Sequence, residues 1–315
     1  MTLSTAGHPS SRKLNLSLVI CLAAVTLILA AGSSSAETIR CPAQDPCLGT
    51  KDGDRMVGTT GSDLIVGRGG SDALYGRNGN DDLRGGRGHD TVRGGAGHDV
   101  LDLGIWDGPN LIGFPESLSG GRGNDVMYGN DGFNSFNGRG GNDTMYGGGA
   151  RDEYWYESPD WGHDVIVDRP DPDNNLLRLS DFYDDVVIDL DSSSDHDELR
   201  MVDGSSTINW DDDGINFILG GYGNDVIHGN EHGNVIWVDG DDVVYGRDGD
   251  DDLRAVDWDG DATIYGDEGD DLIDVQDAIY PHDGGFDTVD CGPGDADTVY
   301  FDANDSVVNC EILNP

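Results

Sequence analysis

Positive charge is scarce in this chain. Over 315 residues, 18 Lys and Arg face 62 Asp and Glu, a formal net charge of −44. That imbalance excludes nucleic acids and anionic membrane surfaces as partners, because both would be repelled. Apolar residues are also sparse, at 36%, so no thick hydrophobic core is available to offset the self-repulsion. No amphipathic pattern of period 3.6 persists, which excludes a helical bundle. Two catalytic strings are missing as well, G-x-S-x-G and H-E-x-x-H, and the repeats described below leave no room before them for a separate catalytic domain. The expectation is that the chain is not an enzyme. Two states remain: a disordered acidic polymer, or a fold whose carboxylates are neutralised by bound cations.

Long apolar runs are absent except for one. Leu14 to Ala31 carries no charge, follows Arg12 and Lys13, and leads to Ser34-Ser35-Ala36 before Glu37. Residues 1–36 therefore read as a cleaved signal peptide, with an uncleaved anchor as the alternative. Cleavage implies a secreted, extracellular protein with no membrane insertion. Cys21 lies inside that run, and Ile20 before it is too bulky for lipoprotein processing. The remaining cysteines, Cys41, Cys47, Cys291 and Cys310, allow two disulfides and three pairings in an exported chain. Pairing between neighbours is the simplest, since it would staple each end.

Glycine, by contrast, is abundant, with 49 residues, and it is periodic. From Gly58 the chain reads GTTGSDLIV, GRGGSDALY, GRNGNDDLR, GGRGHDTVR, GGAGHDVLD. Position one is Gly58, Gly67, Gly76, Gly85 and Gly94; position four is Gly61, Gly70, Gly79, Gly88 and Gly97. Position six is Asp63, Asp72, Asp81, Asp90 and Asp99, and position eight is always aliphatic. Upstream, Asp54 is in phase, with Asp52 where glycine is expected. A second block starts at Gly120 and Gly123, with Asp125, Asp143 and Asp152 at position six and Asn134 in place of one carboxylate. A third, less regular block runs through Asp225, Asn234, Asp242, Asp251 and Asp271; Ala262 takes one carboxylate position, which argues against a site there.

Glycine at positions one and four is expected to supply the positive φ of a tight turn. Aspartate at six places a carboxylate at the turn exit, where it and turn carbonyls can hold a hard cation. The aliphatic at eight is the inward residue of a very short strand. Two nonapeptides then make one coil, and coils stack about 4.8 Å apart. Residues two units apart, such as Asp63 with Asp81 or Asp72 with Asp90, would flank the same ion. Flexible low-complexity loops are the bland alternative, but they need no aliphatic residue every nine positions.

The nonapeptide G-G-x-G-x-D-x-U-x resembles the hemolysin-type calcium-binding repeat (repeats-in-toxin, RTX) family, over residues 49–102, 120–155 and 220–274. The resemblance implies a right-handed parallel β-roll of all-β class, several Ca²⁺ ions between turns, a bacterial origin and an extracellular setting. The tail FDTVDCGPGDADTVYFDANDSVVNCEI is similar to the end of some secreted members, which implies a Cys291–Cys310 pair. An N-terminal signal departs from the many members that leave by a C-terminal export signal. The expected organisation is a Cys-bearing segment at 37–48 and repeats over 49–102. An inserted loop follows at 103–119, then repeats at 120–155 and an irregular β spacer at 156–219. Degenerate repeats occupy 220–290, and a disulfide-bearing cap occupies 291–315.

Little else carries chemistry. His228 to His232 spells H-x-x-E-H, a zinc-peptidase string that requires a helix; here it spans a repeat boundary with Gly229 and Asn230 in a turn, and reads as coincidence. His89 and His98 occupy a solvent-facing position. Six tryptophans read as covers for stack ends and loops, with glycan contact as the alternative. The functional reading is a secreted calcium-binding repeat protein that folds on export. A calcium-dependent adhesin or carbohydrate-binding module with a cell-surface or glycan partner is the rival. A hydrolase seated in 156–219 is the third.

Overall fold

A computed structural model describes residues 37–315 apart from 44–45, 106–114, 158–160, 168–174, 180–181, 191–196, 202–206, 211–214, 256–259 and 277–284. The expected signal peptide, the middle of the expected inserted loop, and Trp106 and Trp258 among the six tryptophans lie outside the described residues.

Each repeat builds one strand from its second half. The residue at position eight points inward and is fully buried, as at Ile65, Leu74, Leu83, Val92 and Leu101, each with no exposed surface. Its neighbours at seven and nine alternate outward, so a burial pattern such as iBiB runs along the strand Ala73–Asn78. Successive strands alternate between two sheets, one of 14 strands and one of 15. Pairing within a sheet is parallel, with Ile65 opposite Leu83 and Leu83 opposite Leu101. In the other sheet, Met56, Leu74, Val92 and Leu118 form the matching column. Two nonapeptides therefore make one coil, and the chain is an all-β solenoid with a core one side chain deep per strand. Burying each of these residues stabilises the stack by about 1.5–3 kcal/mol.

The terminal segments belong to the stack. Glu37–Arg40 and Cys47–Leu48 start the two sheets, and Ser306–Val308 and Ile312–Asn314 end them. Disulfides join Cys41 to Cys47 and Cys291 to Cys310, with Cα–Cα separations of 5.1 Å and 5.2 Å. Among the three possible pairings, neighbours are joined, and each bridge sits beside an end of the stack.

Three local expectations change. The inserted loop is shorter than 103–119, because Leu103 to Ile105 extends one strand and Glu116 to Ser119 begins the next. The spacer contains more than irregular coils. Val186–Asp189, Asp197–Met201 and Thr207–Trp210 pair antiparallel and enter one sheet as a three-strand insertion. Its outer strands rejoin the parallel stack on either side, at His163–Val167 and Val226–His228. Trp161 is not a cover, for it is completely buried. It packs on Tyr156 and Phe182 at ring separations of 5.2 Å and 5.1 Å, beyond a stacked Phe136–Tyr154 pair. From Phe136 to Phe182 the core is rich in aromatic residues, and the rings pack face to face, tilted or edge to face to fill it at interior density.

Leu83 and Leu64 separate inward from outward positions, being 0% and 36% exposed. Leu83→Ala should cost about 2–5 kcal/mol in chemical denaturation, and Leu64→Ala well under half of that; equal costs would contradict the inward column.

Candidate metal centre

The position-six residues form two ladders, one along each edge of the stack. Each backbone N–H at this position donates to the side chain of the position-six residue one coil on. Asp63 donates to Asp81 Oδ1 at 2.8 Å, Asp72 to Asp90 at 2.9 Å and Asp81 to Asp99 at 2.8 Å. The series continues from Asp99 to Asp125, from Asp125 to Asp143, and from Asp251 to Asp271. The pairs expected from a two-unit spacing are thus direct neighbours.

Only one oxygen of each carboxylate is used in this way. The Oδ2 atoms of Asp72, Asp81, Asp99, Asp125, Asp143, Asp251 and Asp271 are buried with no hydrogen-bond partner. One such atom costs about 1–3 kcal/mol, so a row of them calls for a ligand. Burial, with a nearby carboxylate adding to it, pushes Asp125, Asp143 and Asp251 up to about 8. The same causes push Asp72, Asp81 and Asp271 up to about 6.

The glycines explain where that ligand fits. Positive φ occurs at positions two and four, not at one and four: Arg68 and Gly70, Arg77 and Gly79, Gly86 and Gly88, Gly95 and Gly97, Gly121 and Gly123. Gly61 has no positive φ. Position one is glycine for space instead. A methyl group on Gly67 would strike Asp72 Oδ2 and the Gly85 carbonyl; on Gly76 it would strike Asp81 Oδ2 and the Gly94 carbonyl. Gly94 stands in the same way against Asp99 Oδ2 and the Gly120 carbonyl, and Gly85 and Gly120 repeat the arrangement. At Gly67, Gly76, Gly94 and Gly120 an unpartnered carboxylate oxygen and a carbonyl from the next coil therefore crowd the same small space.

Among the described residues, no three His, Cys, Asp or Glu side chains converge as a metal cluster. The donors on offer are carboxylate and main-chain oxygens, which suit a hard cation such as Ca²⁺ and not a thiolate- or imidazole-bound metal. His228 ends a strand and stacks on Tyr245 at 4.7 Å, and the residues after it form a turn, so H-x-x-E-H lies on no helix. His98 is exposed and meets Asn124.

The other expected residues fall on the ladders with different surroundings. Asp54, Asp63 and Asp225 have their second oxygen hydrogen-bonded within their own turn. Asp242 accepts from the Asp225 amide at 2.7 Å, and Asp152 from the Asn134 amide at 2.9 Å. Asn134 and Asn234 bring amides. Ala262 keeps the backbone link, donating to Asp287 Oδ1 at 2.8 Å, but adds no carboxylate of its own.

Sequence reasoning missed Glu116, Asp164, Asn175, Asp287, Asp297 and Asp305. All of them accept ladder hydrogen bonds. The signal was present in the second half of the unit, as in Glu116-x-Leu118, Asp164-x-Ile166, Asp287-x-Val289 and Asp297-x-Val299. It was hidden because the glycine half is incomplete there, with Gly162 and Gly285 at position four but no glycine at position one, and Gly292 at position one but Asp295 at position four.

The family model of the RTX calcium-binding nonapeptide repeat (4 copies) matches residues 48–83, 75–105, 119–154, 210–239, 238–255 and 259–276. No curated protein matches the chain. The matched segments make up half of the sequence and coincide with the coils that carry the ladders, and on both grounds the chain belongs to the RTX calcium-binding repeat family.

Proposed function

We propose that this protein is an exported, non-catalytic scaffold that holds several Ca²⁺ ions between its coils and becomes fully ordered in calcium-rich surroundings. The observation that carries the reading is the row of buried Oδ2 atoms on Asp72, Asp81, Asp99, Asp125, Asp143, Asp251 and Asp271, each without a partner. Bound Ca²⁺ would supply the positive charge that offsets the stacked carboxylates. The chain's part is to aim those oxygens and the carbonyls at position one into a shared space, and to fix the turn through positive φ at two and four. Without the ion, like charges oppose stacking, so binding energy becomes folding energy. Extracellular sites of this kind work at about 10⁻⁴–10⁻³ M. They are empty in the cytosol and filled outside, which ties folding to export. The N-terminal signal-like segment and the two disulfides support an extracellular setting.

One observation favours a second reading, a calcium-dependent glycan-binding module. A groove of about 880 Å³ on the outer face includes Arg77, Arg93, Arg122 and Arg139, with Glu157 the one acid among its described lining residues. Trp155 stands at its end with the Arg178 guanidinium 4.2 Å above the ring. Such a face in so acidic a chain suits an acidic saccharide. Calcium-dependent retention on an acidic glycan resin, lost on Arg93→Ala and Arg139→Ala, would support it.

Far-UV circular dichroism of residues 37–315, stripped by chelator, should gain β signal cooperatively with Ca²⁺ and poorly with Mg²⁺, which demands stricter octahedral geometry. A spectrum already β-rich and indifferent to Ca²⁺ would remove the ladders as the source of order. Asp81→Ala should raise the Ca²⁺ midpoint on the order of tenfold, since each tenfold is ~1.4 kcal/mol.

The pH dependence has a definite sign. Asp125, Asp143 and Asp251 sit near 8 in the metal-free coil against 3.8 for an ordinary carboxyl. A raised carboxyl pKa leaves the metal-free fold unpenalised below about pH 4 and progressively destabilised up to about pH 8. Calcium must displace those protons. Lowering the pH from about 8 to about 6 should shift the midpoint to higher Ca²⁺, with proton release visible as a buffer-dependent calorimetric heat. A midpoint that ignores pH would mean that the carboxylates are already ionised.

A further inference from the structure

Two kinds of turn recur among the described residues of this solenoid. In the first kind, positions two and four both have positive φ. These are the turns ending at Asp72, Asp81, Asp99, Asp125, Asp143, Asp251 and Asp271, where the pairs are Arg68 with Gly70, Arg77 with Gly79, Gly95 with Gly97, Gly121 with Gly123, Arg139 with Gly141, Arg247 with Gly249, and Asp267 with Gly269. Each of them carries an unpartnered Oδ2. Five non-glycine residues accept the left-handed region to make this turn, namely Arg68, Arg77, Arg139, Arg247 and Asp267. An L side chain in that region is disfavoured, so the conformation is maintained against a local cost.

In the second kind, neither position has positive φ, and the turn closes on itself. Position two is Thr50, Thr59, Asn130, Gly221 or Asn230. The backbone N–H of Thr50 donates to Asp54 Oδ2 at 2.7 Å, and that of Thr59 to Asp63 Oδ2 at 2.7 Å. Both hydroxyls reach the same carboxylate oxygens, at 2.9 Å and 3.1 Å. Gly221 N–H donates to Asp225 Oδ2 at 3.3 Å, and Asn230 N–H to Asn234 Oδ1 at 2.9 Å. The fifth turn uses an amide as its internal donor: Asn134 Nδ2 reaches the Gly132 carbonyl at 2.6 Å and Asp152 Oδ1 at 2.8 Å. At Asp54, Asp63, Asp225 and Asn234 a protein donor already occupies the oxygen that an ion would need, and at Asn134 an uncharged amide replaces the carboxylate.

We infer that the turns ending at Asp54, Asp63, Asn134, Asp225 and Asn234 contribute no metal site, and that the protein divides its calcium between banks of open turns separated by self-closed ones. This rests on the calcium reading above and narrows it. Asp54 Oδ2 and Asp63 Oδ2 each accept two hydrogen bonds and have no lone pair to spare for a cation without breaking one. Two asparagines at position six also remove the charge that draws Ca²⁺. The closed turns at Asp54 and Asp63 lie next to the Cys41–Cys47 bridge, so the N-terminal end of the stack has an ordered, metal-independent start on which calcium-filled coils can build. The closed turns at Asp225 and Asn234 give the same kind of start to the bank that holds Asp251 and Asp271.

The test compares Asp63→Asn with Asp81→Asn in the full mature chain, by equilibrium dialysis against radiolabelled Ca²⁺. Circular dichroism at saturating Ca²⁺ checks that each variant folds. Asparagine keeps an acceptor oxygen for the Thr59 amide while it removes the charge and turns the other oxygen into an NH2 donor. The expected result is that Asp63→Asn binds as many ions as the parent with an unchanged midpoint, whereas Asp81→Asn binds fewer. Loss of ions from both variants would overturn the division into two kinds of turn. No loss from either would instead sink the calcium reading of the ladder itself. Thr59→Gly is the second arm: it removes the hydroxyl cap without touching a carboxylate, so the ion count should hold or rise, and a fall would overturn the inference.

Discussion

Everything in this molecule answers to carboxylates stacked at strand spacing. A coil repeat of about 4.8 Å places position-six side chains one above another along each edge, and two like charges at 4 Å repel by about 1 kcal/mol in water and about 4 kcal/mol at the dielectric of a protein surface. Backbone amides relieve part of this, since each carboxylate accepts the N–H of the preceding coil, as Asp81 does from Asp63 and Asp99 does from Asp81. The second oxygen is what remains, and the rest of the turn is arranged around it. Glycine at position one leaves it room, and positive φ at two and four shapes the loop that surrounds it.

The core follows from the same constraint. Where the nonapeptides are regular and glycine holds position one, each strand has a single inward apolar side chain; where it does not, as at Leu103, Val238 and Ala255, a second one is buried on the same strand. Leu83, Val92 and Leu101 fill the core where the nonapeptide is intact. Between Gly147 and Phe182, where the nonapeptide is no longer regular, Tyr154, Tyr156, Trp161 and Phe182 are all buried. The antiparallel insertion at Val186 to Trp210 follows directly on this stretch. Freed from the demand that each coil supply an ion site, the chain there pairs in the opposite sense and then resumes the parallel register at Val226.

Parts of the site were readable from local pattern. Asp63, Asp72, Asp81, Asp90 and Asp99 recur every nine residues with an aliphatic two positions later, and that spacing alone implied the two ladders and the coil of two units. The role of glycine was half right. Position four has the positive φ that the pattern implied, but position one proved to be a matter of space, because the atom that crowds it is Asp72 or Asp81 Oδ2, five residues along a turn whose path the sequence does not display. Glu116, Asp164, Asp287 and Asp297 escaped for a different reason. They keep the acidic-x-aliphatic half of the unit with at most one of its two glycines, Gly162 before Asp164, Gly285 before Asp287 and Gly292 before Asp297, so the paired-glycine pattern does not mark them.

What the sequence determined by itself is whatever depends on neighbours within one unit: the strand, its inward residue, the turn and the period, each repeated often enough to rule out chance. What only the tertiary structure decided is how each carboxylate is satisfied. Asp63 and Asp81 occupy the same position in units that look alike, yet one is closed by the amide and hydroxyl of Thr59 and the other is left with an unpartnered oxygen. The difference lies in φ at positions two and four and in contacts between coils 17 to 26 residues apart. A linear pattern does not contain these, because they exist only once the coils are stacked.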